Sequence, residues 1–190
     1  FQDAKYGIAT TGGTVALEGI CRGAGIGIGD EVITSPYTFI GTCTAILKAG
    51  ATVTFADIDP DTNNIDPDEI EQAITPRTKA IIPVSTCGLA PDMDPIIAIA
   101  KEHDLVVIED NAQCVLGYYK GRLVGSMGDF SSFSFQASKH MTTGDGGIVI
   151  CDDPEYARDI RKRGAVGFRT LGAKPGDVFD YNRHSMNILE

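Results

Sequence analysis

The sequence predicts an α/β fold, a mostly parallel sheet with helices on both sides. Three observations lead there. Helix-like and strand-like segments alternate along most of the 190 residues. Leu105-Val106-Val107-Ile108 is continuously apolar, as in a strand buried on both faces of a parallel sheet. Helix-start signals fall between the strands, as at Asp66-Pro67-Asp68-Glu69, with proline near the first helical position and carboxylates in the first turn.

Gly12-Gly13-Thr14 opens a helix predicted over Val15 to Arg22, which stops in a glycine cluster. A short strand follows at Glu31 to Thr34, then a helix over Thr38 to Lys48 ended by Gly50, and a strand over Thr52 to Ala56. After the helix that Asp66 begins come the strand Lys79 to Val84 and a helix from Asp94-Pro95 to about His103. Strands near Ser131 to Ser134 and Ile148 to Cys151 and a helix from Pro154 to about Arg163 complete the pattern. From about Gly164 glycines, charges and aromatics replace the apolar periodicity, so the core domain is expected to end there.

Hydrophobic residues make up 43% of the chain and charged residues 22%, an ordinary globular composition with enough length for one sizeable core. No apolar run approaches the roughly 20 residues of a membrane span, so no membrane partner is expected. No basic segment followed by an apolar stretch marks a leader; the chain begins at Phe1 rather than Met, which leaves a preceding leader open. A net charge of −10 with scattered cations argues against a nucleic-acid surface. The basic stretch Arg158 to Arg163 reads as the solvated face of a helix. Five widely spaced cysteines without a C-x-x-C pair suggest reduced thiols and a cytoplasmic location. His103, His140 and His184 are too dispersed for a metal site, and no metal is expected.

Two motifs are decoys. Gly23 to Gly29 reads G-A-G-I-G-I-G, but a dinucleotide fingerprint follows a strand and opens a helix, whereas these glycines follow a helix and precede a strand. Asp57-Ile58-Asp59-Pro60-Asp61 imitates a calcium loop but has proline where the chain must wrap and lacks the glycine and distal glutamate. A turn explains it.

Three other features make sense together. Asp110, in Glu109-Asp110-Asn111-Ala112-Gln113, directly follows the buried strand, and ligands gather at such strand ends in open α/β sheets. Lys139 stands in Phe133-Ser134-Phe135-Gln136-Ala137-Ser138-Lys139-His140, between small hydroxyl residues and a glycine-rich run that allows close approach to a ligand. Thr10-Thr11-Gly12-Gly13-Thr14 precedes a helix whose first N–H groups form an anion site. Taken singly, each has a plainer reading: a turn residue, a surface lysine, an N-cap.

With ATTGGTVAL, GIGDEVITSPYTF, GATVTFADID, ITPRTKAIIPVSTCG, PDMDPI, VVIEDNAQ, YYKGRLVGSMGDFSSFSFQASKHMTTGDGG and YNRHSMN in this order, the chain resembles the DegT/DnrJ/EryC1/StrS sugar aminotransferases. They lie within fold-type I of the enzymes dependent on pyridoxal 5'-phosphate. The resemblance implies a three-layer α/β/α large domain that binds the cofactor over residues 1–164. It implies that 165–190 begin the connection toward a C-terminal small domain absent from the chain, and that the family's leading N-terminal segment is missing.

The resemblance also implies roles. Lys139 would form the Schiff base with the cofactor aldehyde, and Asp110 would pair with the pyridinium nitrogen so that the ring acts as an electron sink. Gln113 would touch the phenolic oxygen side, Ser134 the phosphate, and Phe39 would stack on the ring. Gly13, Thr14 and the Val15 backbone would form the phosphate cup. Asn182 would reach the cofactor phosphate of the neighbouring subunit in a homodimer. The implied reaction is transamination from glutamate or glutamine to a keto-sugar, nucleotide-linked, or to a cyclitol ketone. Two alternatives stay open. One is a sugar dehydratase of the same fold that uses the pyridoxamine form and carries histidine at the lysine position. The other is a non-catalytic cofactor-binding remnant or sensor.

Overall fold

A computed structural model describes residues 2–164. The chain runs β1 (Tyr6–Thr10), α1 (Gly13–Gly23), β2 (Glu31–Thr34), α2 (Ile40–Ala49), β3 (Thr52–Phe55), α3 (Pro67–Ala73) and β4 (Thr78–Ile82). It continues α4 (Met93–Glu102), β5 (Val106–Asp110), the hairpin β6 (Tyr118–Tyr119) and β7 (Arg122–Leu123), β8 (Phe130–Ser134), β9 (Gly147–Cys151) and α5 (Pro154–Gly164).

Seven strands form one sheet in the order β1-β9-β8-β5-β4-β2-β3. Neighbours are parallel throughout except at β9, which is antiparallel to both β8 and β1. The predicted α/β class with a mostly parallel sheet is therefore present. Successive side chains of a strand point to opposite faces, and here both faces are apolar. Val32, Ala80, Ile82, Ile108 and Phe130 share one core with Ala16, Leu17 and Ile20 of α1, Ala45 and Ile46 of α2 and Ile160 of α5. Ile33, Ile81 and Val107 belong to a second core with Ile70 of α3 and Met93, Ile96 and Ala100 of α4. Helices thus cover the sheet on both sides, giving three layers.

The same alternation decides where polar residues go. Asp110 lies two residues beyond Ile108 and so faces α1 and α2, while Glu109 faces the opposite side. Glu109 is buried, and its carboxylate accepts hydrogen bonds from the backbone N–H groups of Gly125 (2.6 Å), Met127 (2.8 Å) and Gly128 (2.7 Å). It thereby fixes the loop that feeds β8 into the sheet.

Several boundaries differ from the sequence expectation. α2 begins at Ile40, not Thr38, because Phe39 is extended as the residue capping it (φ −66°, ψ 137°). β5 runs on through Asp110, which is held in register beside Ser132 and bridged to Val84. β1 and the β6–β7 hairpin are additional elements. The two decoys fold as expected: Ala24 to Asp30 connects α1 to β2, and Asp59 accepts from the N–H groups of Asp61 and Thr62, as a turn does. Among the described residues, no helix is long and apolar enough to cross a membrane.

Replacing Glu109 by alanine strands three N–H groups, each costing about 1–3 kcal/mol when unsatisfied in a buried setting. Glu109→Ala is therefore expected to lose about 3 kcal/mol or more in urea unfolding, and Glu109→Gln a smaller amount.

Candidate active site

Polar groups collect where the parallel strands end. Thr10 of β1, Gly147 of β9 and Ser134 of β8 lie in one row across the sheet, since Thr10 pairs with Gly147 and Gly147 with Ser134. Asp110 of β5 ends next to that row, beside Ser132. A cleft of about 580 Å³ opens above these strand ends. Its lining includes Gly13, Thr14, Val15, Phe39, Asp110, Gln113, Ser134 and Lys139, so eight of the nine expected cofactor residues meet in one place. Asn182 lies outside the described residues.

One end of the cleft is shaped for an anion. α1 is eleven residues long, and Gly12 at its cap supplies no side-chain oxygen to its first N–H groups. No acidic residue occupies its first turn. These amides carry the positive end of the helix dipole and stay available to an outside acceptor. Ser134 stands against them: a Cβ on Gly13 would lie 2.9 Å from the Ser134 Cβ. A Cβ on Gly147 would lie 2.7–2.8 Å from the Gly12 and Gly13 backbone. Only glycine at both positions lets helix, strand and serine converge.

At the floor Asp110 is 4% exposed. Thr42 of α2 donates to its Oδ2 at 2.8 Å, and the Ala112 N–H donates to its Oδ1 at 3.1 Å. Burial pushes its carboxyl above the ordinary carboxylate range, opposed by those two hydrogen bonds and by the charge of Lys139. Each oxygen keeps a free lone pair, so a ring N–H reaching this floor would meet a buried acceptor.

Flat apolar surface comes from Phe39, 64% exposed at the mouth of the cleft, beside Val15 at 43%. On the opposite wall Gln113 is oriented by the backbone: its Oε1 accepts from the Cys87 N–H at 3.0 Å, which turns the amide nitrogen into its free group. Lys139 sits on the loop after β8, where its N–H donates to the Gln136 carbonyl at 2.9 Å. His140, the neighbouring candidate, does not line the cleft.

The structure adds lining residues that sequence reasoning passed over: Thr38, Thr42, Gln136, Ser138 and Asp145. Thr38 and Thr42 carried a readable signal, two hydroxyls four apart at a helix start. Altogether the cleft offers an anion cup, an aromatic face, a buried carboxylate and one amine. It can hold a phosphorylated heteroaromatic ring with a basic nitrogen and present an amine to it.

The model of the DegT/DnrJ/EryC1/StrS aminotransferase family matches residues 1–187. The chain is 50% identical over 187 residues to the spore coat polysaccharide biosynthesis protein SpsC of Bacillus subtilis, covering 98% of this chain and 46% of that protein. It is 45% identical over 157 residues to the GDP-perosamine synthase of Caulobacter vibrioides, covering 83% and 42%. Among solved structures, that of ntda from Bacillus subtilis with bound cofactor PMP superposes with a TM-score of 0.85 at 36% identity, covering 94% of this chain and 40% of that one. The chain thus spans about half the length of the curated relatives it matches. At this identity and coverage, the chain belongs to the DegT/DnrJ/EryC1/StrS aminotransferase family.

Proposed function

We propose that the protein is a sugar aminotransferase dependent on pyridoxal 5'-phosphate. In this reading it moves an amino group from glutamate or glutamine to the ketone carbon of a nucleotide-linked sugar or a cyclitol. The observation that carries the proposal is the meeting of Lys139, Asp110 and the uncapped start of α1 in one cleft. The family membership and the GDP-perosamine synthase relative support a sugar substrate.

The donor set fits the cofactor. The amides of Gly13, Thr14 and Val15 with the Ser134 hydroxyl would hold the phosphate, Phe39 would cover a ring face, and Gln113 would offer an N–H to the phenolic oxygen. Asp110 would accept from the ring nitrogen and keep it protonated. Pyridoxal phosphate, when bound, supplies an aldehyde for the incoming amine and a ring that takes up the electron pair released at the substrate carbon. Lys139 would hold the cofactor at rest. With its Nζ free, Lys139 would serve as the base that takes the proton from the substrate carbon and gives it back. The walls formed by α1 and α2 keep the carboxylate buried, which would strengthen its hold on a cationic ring.

A homodimer belongs to the same reading. Phe39 and Val15 present exposed apolar surface at the cleft, and Asn182 would reach the phosphate of the neighbouring subunit. Free thiols at all five cysteines fit a cytoplasmic setting. Lys139 on the cleft wall, with His140 off it, favours transamination over dehydration.

Adding glutamate or glutamine to the pyridoxal phosphate-loaded protein is expected to abolish the visible cofactor absorbance, and a keto-sugar nucleotide to restore it. An unchanged spectrum with both donors would favour the sensor reading. A second expectation concerns Asp110 in the cofactor-free protein. A carboxyl raised by burial favours the fold below its unfolded pKa of about 3.9 and loses that contribution as pH rises through its folded value. Asp110→Asn should therefore melt no lower than wild type at neutral pH. Its advantage should vanish below about pH 3.9, and its affinity for pyridoxal phosphate should be weaker at every pH.

A further inference from the structure

Asp110 is not held by backbone alone. Thr42, the third residue of α2, is 2% exposed, and its Oγ1 lies 2.8 Å from Asp110 Oδ2 and 2.9 Å from Thr38 Oγ1. A threonine hydroxyl carries one proton and two lone pairs. When Asp110 is ionised it only accepts, so the Thr42 proton points to Asp110. Thr38 must then donate to Thr42. The geometry fixes a polarised chain, Thr38 to Thr42 to Asp110, running from the cleft wall to its floor.

Resting on the pyridoxal phosphate reading, we propose that Thr42, polarised by Thr38, is a positioning residue for Asp110. It aims the carboxylate and holds it in its accepting state toward the ring nitrogen. Several observations converge on this. Thr42 and the Ala112 N–H each take one lone pair of a different oxygen, which fixes the carboxylate plane while leaving both oxygens open to the cleft. The Thr38 hydrogen bond polarises the Thr42 hydroxyl toward Asp110, the strengthening expected along a hydrogen-bonded chain in a low-dielectric site. The hydroxyl also opposes the desolvation that raises Asp110. Lys139, from the loop after β8, is the charged group that acts on Asp110. Among the other elements packed here, α2 contributes Thr42, β4 leads to Val84 and β8 brings Ser132, none of which titrates near neutrality. Asp145 is the remaining charged residue on the cleft lining. Thr42 is therefore the uncharged donor that the floor adds from a side chain.

The consequence is electronic. A protonated ring nitrogen places a positive charge in the cofactor, which helps the nitrogen shared with Lys139 to release its own proton. If Asp110 loses the Thr42 hydrogen bond, its ionised form is less stabilised, the carboxyl takes over the proton it shares with the ring nitrogen, and the lysine-linked nitrogen would stay protonated to higher pH. A residue that only packed α2 against the sheet would not move that equilibrium in this direction.

The test is a pH titration of the visible absorbance of the loaded protein, with pyridoxal phosphate affinity measured by fluorescence. Thr42→Val, which keeps shape and removes the hydroxyl, should move the midpoint upward by about one pH unit, a tenfold change in the protonation equilibrium. Thr42→Ser should restore the wild-type midpoint, and Thr38→Val should shift it upward by less. An unmoved midpoint in Thr42→Val, or an equal shift in Thr42→Ser, would overturn the inference while leaving the cofactor reading intact. If Thr42→Val does not fold, Thr38→Val decides, and an unmoved midpoint there overturns it. A wild-type protein with no visible band would remove the cofactor reading and this inference together.

Discussion

The register between β5 and β8 governs everything at the cleft. Asp110 pairs with Ser132, two residues short of Ser134, so both polar groups emerge on the face covered by α1 and α2. A one-residue slip would send Asp110 to the far face and bury Glu109 under the helices instead. The register is strongly specified because Val107 and Ile108 must reach opposite cores at once, and Glu109 must reach three amides of the loop before β8. The apolar residues and the second carboxylate thus fix the position of the first.

That placement has an electrostatic cost that the site turns to use. A carboxylate nearly removed from water is destabilised in its ionised form. Thr42, Ala112 and the charge of Lys139 oppose the penalty without saturating the oxygens, so the floor remains short of partners. The opposite end of the cleft has complementary character, since α1 begins without a side-chain cap and its amides lack an acceptor. A ligand with an anionic end and a basic nitrogen would satisfy both at once, and the glycines at 13 and 147 let α1, β9 and Ser134 close together at the anionic end.

Much of this was legible in the sequence because it rests on periodicity. The runs at Leu105 to Ile108 and Lys79 to Val84 marked strands, the first of them as buried in a parallel sheet, and Asp110 just beyond the first and Val84 at the end of the second line the cleft. Other parts left no local trace. β1 is an edge strand with only Ile8 buried, so Tyr6 to Thr10 shows no apolar run. The β6–β7 hairpin has two residues per strand and turns through Lys120 and Gly121, both at positive φ, too short for any period to register. The start of α2 was misplaced because Thr38 and Phe39 continue its pattern, while Phe39 is extended and turned to the cleft. Thr42 as a partner of Asp110 lies 68 residues away in the chain, a contact that only the folded sheet brings together.

In the proposed function Lys139, and no other amine, is the group presented to the cofactor. Borohydride reduction of the pyridoxal phosphate-loaded protein, followed by proteolysis and mass mapping of the labelled peptide, tests it most directly. A single phosphopyridoxyl group is expected on Lys139, lost together with the visible band in Lys139→Ala. A label on another lysine, or a band and covalent label that persist in Lys139→Ala, would contradict it.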